Sequence, residues 1–178
     1  MRIILFMKIT NDQLGFLEST HASKRFMPAI EVKVTTLHAW NTRGFMVFDK
    51  PGSGKSLFLS GGQIILARCL SILQKVGCAP SILGSSGLIN GVNSFVSACI
   101  EAYAEDRDFE PLYLVYRVSP WVDGIDTGFY NQEWELKSKD DIFGRHITEN
   151  ESKAYAFFCV LDLYEIMQEM AYRVMKAY

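Results

Sequence analysis

The segment Pro111-Leu-Tyr-Leu-Val-Tyr-Arg-Val-Ser119 is the most β-prone run of the sequence. Its aromatic and β-branched side chains suit a pleated surface that is packed against other elements. The run therefore predicts a central strand near 111–119. A second run, Glu133–Lys137, alternates in the way a half-buried strand does and predicts a further strand near 133–137.

The sequence of residues 30–60 predicts an antiparallel meander. Ile30-Glu-Val-Lys-Val34 alternates apolar and charged residues, which is typical of a half-buried strand. Residues rich in Gly, Pro and Asn then form two turns, Asn41–Gly44 and Pro51–Gly54, and the runs beside them predict two more strands. These strands are Phe45–Asp49 and Ser56–Ser60. With the two downstream strands, they predict one antiparallel sheet of about five strands.

Three further segments predict helices that cover this sheet. Apolar residues recur at helical spacing near 63–76 and near 92–104. Thr148-x-x-Glu151 has the spacing of a capping box and predicts the start of a long C-terminal helix near 149–177. Because strand runs and helical runs are mixed without a regular βαβ alternation, the sequence predicts an α+β fold.

Length and composition predict a single globular domain over residues 1–178. Residues 1–9 are predicted to form a flexible or short-strand extension of that domain. Translation is expected to start at Met1 or at Met7. Apolar residues make up 49% of the 178 positions and charged residues 21%. A balance of this kind excludes disordered and fibrous classes. No apolar run reaches the roughly 18 residues that a membrane span needs, so no membrane association is expected.

The four cysteines, at 69, 78, 99 and 159, show no zinc-ligand spacing. Neither a metal nor any other cofactor is therefore expected. The N-terminus also lacks the features of an export signal. A cytoplasmic location with reduced cysteines is the resulting prediction.

Charge is distributed unevenly along the chain. Residues 1–76 carry ten Lys or Arg and four Asp or Glu, a balance of +6, while residues 77–178 carry eight and sixteen, a balance of −8. Two interpretations follow. Either the halves pack against each other so that their fields largely cancel, or the surface is bipolar and each face attracts a partner of opposite charge.

Two glycine-rich motifs suggest nucleotide binding, but their context argues against it. Pro51-Gly-Ser-Gly-Lys-Ser56 resembles the end of a P-loop, yet Asp49 occupies the position of the first glycine. Leu59-Ser-Gly-Gly-Gln63 resembles the signature sequence of ABC transporter ATPases, although that sequence lies far downstream of the P-loop in those proteins. A carboxylate beside the loop would repel phosphate, so nucleotide hydrolysis is not expected.

A nuclease site is one functional alternative. Asp126, Glu135 and Lys137 have the outline of a restriction-type site, in which two carboxylates hold Mg²⁺ and a lysine supports the attacking water. The competing interpretation is that Glu133, Glu135 and Lys137 form the solvated face of an alternating strand.

Nucleic-acid binding is a second alternative. The cations Lys33, Arg43, Lys50 and Lys55 lie on or near the first predicted hairpin. The aromatic residues Trp40, Phe45 and Phe48 lie close by in the sequence and could stack on bases. The sequence pI of about 5.9 is nevertheless well below the value above 9 that is typical of dedicated nucleic-acid binders.

Elimination leaves a binding protein, without catalytic activity, as the leading prediction. The size and mild acidity suit an inhibitor, immunity or accessory factor of a mobile element that acts on a protein partner. The predicted loop at 120–131 carries aromatic and acidic residues, a mixture typical of interface hot spots and of electrostatic steering. The predicted binding residues are Trp121, Asp123, Asp126, Phe129 and Tyr130.

Overall fold

The structure, a computed structural model, describes residues 7–49, 52, 55–122, 125–138 and 157–176, and at 81, 117–122, 125–133 and 157–158 it describes the backbone alone. Helices and strands are mixed along the chain, which confirms the α+β class. In chain order they are α1 (Asn11–Glu18), β1 (Thr20–Ala22), α2 (Ser23–Ile30), α3 (Val34–Thr42), β2 (Phe58–Ser60), α4 (Gly61–Lys75), α5 (Pro80–Leu83), α6 (Ser86–Ala104), β3 (Leu112–Val122), β4 (Ile125–Ser138), β5 (Phe157–Asp162) and α7 (Leu163–Met175).

The predicted central strand is confirmed. β3 lies between β4 and β5 in a three-stranded antiparallel sheet, and Leu114, Val115 and Tyr116 in its first half are buried. β4 contains the predicted strand near 133–137 but begins at Ile125. The loop predicted at 120–131 is wrong in its extent, because β3 runs to Val122 and β4 begins at Ile125. The register between the two strands nevertheless shifts within this stretch, between the pairs Ser119–Asn131 and Trp121–Asp126.

The predicted meander at 30–60 is also wrong. The alternating run from Ile30 to Val34 joins the end of α2 to the start of α3, and Glu31 takes a left-handed conformation with φ 58°. Leu37 and Trp40 are both buried, and their spacing of three residues suits a helix face and not a strand face. Of the three predicted strands only Phe58–Ser60 forms, and it pairs with β1 in a separate two-stranded sheet.

A side-chain contact replaces the strand predicted at Phe45–Asp49. The Asn41 Nδ2 donates a hydrogen bond to the Phe48 carbonyl oxygen at 2.8 Å, and the Phe48 N–H donates to the Asn41 Oδ1 at 3.4 Å. Phe45, Met46 and Phe48 are buried while Val47 is 75% exposed, so the segment does not alternate. The Phe45 N–H and the Phe48 backbone are bonded to α3, and the Val47 carbonyl is bonded to Gln63, so these polar groups are satisfied without a strand ladder.

The C-terminal helix exists but is shorter than predicted. It runs from Leu163 to Met175 and begins at the N-cap Asp162, whose Oδ1 accepts a hydrogen bond from the Glu165 N–H at 3.0 Å. Residues 157–162, predicted as helix, form β5. The predicted capping box at Thr148 and Glu151 lies outside the described residues.

Two helices cover the core where the sequence predicted them. α4 begins at Gly61, two residues ahead of the predicted start, behind a capping box formed by Ser60 and Gln63. α6 begins at Ser86 instead of residue 92, and it lies against the three-stranded sheet through Gly87. At Gly87 an added Cβ would lie 3.0 Å from the Cβ of Trp134. No helix in the described part of the chain is long and apolar enough to cross a membrane.

A network of ion pairs joins α2, α4 and α7. Glu31 accepts hydrogen bonds from Arg68 at 2.9 Å, Lys75 at 2.6 Å and Arg173 at 3.1 Å. Glu169 pairs with Arg68 at 3.4 Å and with Arg173 at 2.8 Å. The Arg68 side chain is only 12% exposed, so losing its carboxylate partners would leave a charge with little access to water.

The Glu31 carboxylate should make stability depend on pH. Hydrogen bonds from Lys75, Arg68 and Arg173 lower its pKa from 4.5 to about 2. Because folding favours the ionised form, this stabilisation is complete above pH 4.5 and is lost as the pH falls toward 2. We expect Glu31→Gln to lower the melting temperature at neutral pH, and the difference from wild type to close below pH 4.5.

The control for this prediction is Asp106→Asn. Asp106 also has a positive φ, 47°, but its pair with Lys8 joins side chains that are 89% and 60% exposed. An exposed pair of this kind contributes little to stability, so Asn at this position should leave the melting temperature unchanged. A difference between Glu31→Gln and wild type that persists undiminished at pH 2 would contradict the assigned role of the carboxylate.

Candidate binding groove

The predicted binding residues lie on the far part of the hairpin formed by β3 and β4. Trp121 is paired with Asp126, and Phe129 and Tyr130 follow along β4. Within the described residues, β5 pairs with β3 from Tyr113 to Val118, and the predicted binding residues lie beyond that paired stretch. Asp123 and the side chains of the other four residues lie outside what the structure describes, and their role as a binding surface stays a prediction.

The proposed nuclease residues are not brought together by the strand register. Glu135 and Lys137 are two positions apart on β4 and form an ion pair at 2.8 Å. Asp126 lies opposite Trp121, whereas Glu135 lies opposite Val115. Six positions of β3 separate these two partners, which is about 20 Å at the usual rise of a strand. Among the described residues no three His, Cys, Asp or Glu side chains are grouped as metal ligands.

The structure describes three of the four cations predicted to bind nucleic acid, and their role stays a prediction. Lys33 and Arg43 are the two cap residues of α3, at opposite ends of that helix, and Lys50 lies outside the described residues. The three aromatic residues proposed to stack on bases are core residues with at most 7% exposure: Trp40, Phe45 and Phe48. Base stacking by these rings is therefore wrong, because their faces are packed against the core.

Structural roles account for the second glycine-rich motif, Leu59–Gln63. Leu59 is fully buried in β2, and Ser60 and Gln63 form the reciprocal capping box of α4. At Gly61 an added Cβ would lie 2.8 Å from the Cα of Leu17 and closer still to the Phe16 carbonyl oxygen. Gly61 is thus needed for the close approach of α1 to α4, and no nucleotide is required to explain the motif.

We expect millimolar ATP with Mg²⁺ to leave the melting temperature unchanged. Asp49 and Lys55 line the same groove, so the carboxylate opposes any phosphate that the lysine attracts. A ligand present at a hundredfold excess over its dissociation constant would stabilise the fold by about 2.7 kcal/mol, which differential scanning fluorimetry detects easily. A shift that appears with ATP and disappears in Lys55→Ala would overturn this expectation.

The thiols and the buried histidine do not form a nucleophilic site. Burial raises the pKa of the Cys69 and Cys99 thiols to about 12 and raises that of Cys78 and Cys159 as well. All four cysteines are free. The Nε2 of His21 lies 2.9 Å from the Phe16 carbonyl oxygen, and its ring stacks on the Phe16 ring at 5.2 Å. High thiol pKa values keep cysteines protonated and unreactive.

An open groove of about 730 Å³ lies beside β2 and the first turn of α4. Two apolar side chains on its walls face solvent, because Val47 is 75% and Phe58 is 56% exposed. The residues that line the groove are Val47, Phe48, Asp49, Lys55, Ser56, Phe58 and Gln63. The predicted meander places Val47 and Phe58 on paired strands, each beside a neighbouring strand.

Hydrogen bonds hold both walls of this groove in place. The Gln63 Nε2 donates to the Val47 carbonyl oxygen at 2.6 Å, which ties one wall to the start of α4. Asn41 holds the neighbouring Phe48 backbone. On the opposite wall, β2 alternates so that Leu59 enters the core and Phe58 points outward. The groove is therefore a preformed surface and not a gap between unattached loops.

Comparisons with protein-family models, with curated proteins and with solved structures gave no match to this chain.

Proposed function

We propose that this protein acts by binding a protein partner, as an inhibitor, immunity or accessory factor of a mobile element in the cytoplasm, and that it is not itself a catalyst. The observation that carries the proposal is the preformed groove with Val47 and Phe58 exposed on its walls. Removing exposed apolar side chains from water is favourable, whereas burying charged ones costs free energy. Exposed apolar side chains at a concave surface are therefore typical of places where a partner docks.

The charges of the groove favour a protein partner over a nucleic acid. Lys55 and Asp49 contribute one positive and one negative charge to the lining. A polyanion binds through several phosphate contacts to cations, and the described residues of the lining show no excess of cations. The hairpin beyond Val118 is a second place for the same kind of contact, and the variants below distinguish the two locations.

The proposal is tested by capturing a partner with the wild-type protein and measuring its affinity for single variants. Phe58→Ala should weaken binding by about 30-fold, because truncation of a hot-spot aromatic costs about 2 kcal/mol or more. The melting temperature should change little, since more than half of the Phe58 side chain is already in water. Val47→Ala should act in the same direction with a smaller effect.

Val76→Ala is the matched control. Val76 is 68% exposed and lies at the C-cap of α4, the opposite end of the helix from the groove. The Val76→Ala protein should bind the partner with the affinity of the wild type. If Trp121→Ala and Phe129→Ala lose the partner at an unchanged melting temperature while Phe58→Ala keeps it, the docking surface is the hairpin. If none of these variants changes the affinity, the proposed function is wrong in both locations.

A further inference from the structure

The outer edge of β2 carries backbone groups that point away from β1. The two strands are antiparallel, with Ala22 opposite Phe58 and His21 opposite Leu59. The Ser23 N–H donates to the Leu57 carbonyl oxygen at 2.8 Å. Hydrogen-bonded pairs alternate along an antiparallel ladder, so the next hydrogen-bonded pair is His21 with Leu59. The N–H and C=O of Phe58 must then point to the other side.

No strand within the described part of the chain pairs with β2 on that outer side. At the end of the strand the Ser60 N–H is already used, because it donates to the Gln63 Oε1 at 2.8 Å. The Phe58 N–H and C=O have no such bond to any described residue. An open pair of backbone groups at a sheet edge is a template for another strand.

The open edge and the apolar walls belong to one surface. The Phe58 side chain lines the groove and is 56% exposed, so a segment bonded to the Phe58 backbone would also contact its ring. Val47 provides a second apolar contact on the facing wall. Among the described lining residues, the charges of Lys55 and Asp49 balance, which suits an extended segment that is largely uncharged and apolar.

We propose that the partner contributes an extended, largely apolar segment that adds to the outer edge of β2 as a third strand. Its backbone exchanges hydrogen bonds with the Phe58 N–H and C=O, and alternate side chains pack on Phe58 and Val47. This is the strand-addition mode of peptide recognition, in which backbone bonds supply affinity and the side-chain contacts supply specificity. The inference rests on the proposed function and specifies how the partner is recognised.

The test uses short peptides selected from a displayed random library against the full wild-type chain. We expect the selected peptides to be apolar and β-prone. N-methylation of the peptide amide that bonds to Phe58 should weaken binding by about tenfold, the loss of one backbone hydrogen bond, while methylation of the adjacent amides should be tolerated. Amide hydrogen exchange at Phe58 should slow when the peptide is added.

Variants of Phe58 separate the backbone contribution from the side-chain contribution. Phe58→Pro removes the outward N–H and leaves the ladder to β1 intact, since that N–H does not bond to β1. Phe58→Leu keeps the N–H and an apolar side chain. We expect the proline variant to lose the peptide and the leucine variant to retain it, with the melting temperature of each measured to confirm folding. If the proline variant unfolds, the hydrogen-exchange measurement and the N-methylated peptides, both applied to the wild-type protein, decide whether the peptide adds to β2 as a strand.

The outcomes distinguish the two proposals. Suppose that binding needs the Phe58 side chain, but that methylation of every peptide amide has the same effect and the Phe58 amide is not protected from exchange. That result would overturn strand addition and leave the proposed function standing. If the selected peptides bind equally well after substitution of Phe58 and of Val47, strand addition and the proposed function are both wrong. A concentration-dependent dimer of the protein that is lost in Phe58→Pro would assign the edge to a second copy of this chain and overturn the partner segment.

Discussion

A chain that ends at Asp162 is expected to lose cooperative folding. The deleted helix α7 packs against α1, α2 and α4, and its buried face supplies a large share of the core. Its buried residues are Leu163, Tyr164, Ile166, Met167, Met170, Ala171 and Val174. Burial of one large apolar side chain contributes about 1.5–3 kcal/mol. For the six large side chains the sum is about 9–18 kcal/mol, which is as large as the roughly 5–15 kcal/mol that stabilises a whole domain.

Circular dichroism and thermal unfolding of the truncated protein check this expectation. We expect loss of the near-ultraviolet signal, a broad transition or none, and poor solubility. A soluble fragment with a sharp unfolding transition would show that α7 is an appendage and not part of the core. Point variants within α7 test the same contact without shortening the chain.

Two point variants on α7 form a matched pair for the truncation. Met170 is fully buried and Tyr172, two positions later, is 64% exposed. Met170→Ala should lower the free energy of unfolding by about 2–5 kcal/mol through lost transfer energy and a residual cavity. Tyr172→Ala should stay within about 0.5 kcal/mol of wild type, as is usual for surface positions.

Gly61→Ala is the second change with a large expected effect. The new methyl group would lie 2.8 Å from the Cα of Leu17, a contact with backbone that no side-chain rotation relieves. Either α1 or the start of α4 must shift, and overpacking of this kind costs about 1–3 kcal/mol or more. Urea denaturation should show a lower midpoint, and the loss should appear despite the better helix propensity of alanine.

Gly62→Ala is the control for that substitution. Gly62 occupies the next position of the same helix, and the nearest atom to its added Cβ is the Val96 Cγ2 at 3.4 Å. Alanine should therefore be tolerated there, and the reduced freedom of the unfolded chain should stabilise the fold by up to about 1 kcal/mol. Equal destabilisation by both substitutions would contradict the assigned packing role of Gly61.

Several local features were predicted correctly because neighbouring residues determine them. The spacing of Thr10 and Gln13 predicts a capping box, and the structure has it, because the box joins side chains to backbone groups three positions away. Ser60 and Gln63 have the same spacing and form the cap of α4, a local signal that the sequence analysis did not use. The central strand from Leu112 was predictable for a similar reason, since its β-branched and aromatic side chains favour a pleated surface.

The errors arose where a short pattern fitted two structures. An apolar run such as the one before Asp162 suits either a buried helix or a buried strand, and its place beside β3 makes it a strand. Asp162 and Glu165 have capping spacing, a local mark of the true helix start. The alternation from Ile30 to Val34 covers only five residues, too few to outweigh the ion pairs that Glu31 makes with α4 and α7.

The sequence by itself determined the α+β class, the central strand, the capping box at Thr10 and the helix α4, because these depend on contacts within a few residues. Only the tertiary structure decided that the described strands form two separate sheets, and that Val47 and Phe58 lie exposed on one groove while Trp40, Phe45 and Phe48 are buried. These features depend on contacts between distant segments, such as Gln63 with Val47 and Arg68 with Glu31. Exposure of an apolar residue is set by which segments pack over it, and no local pattern carries that information.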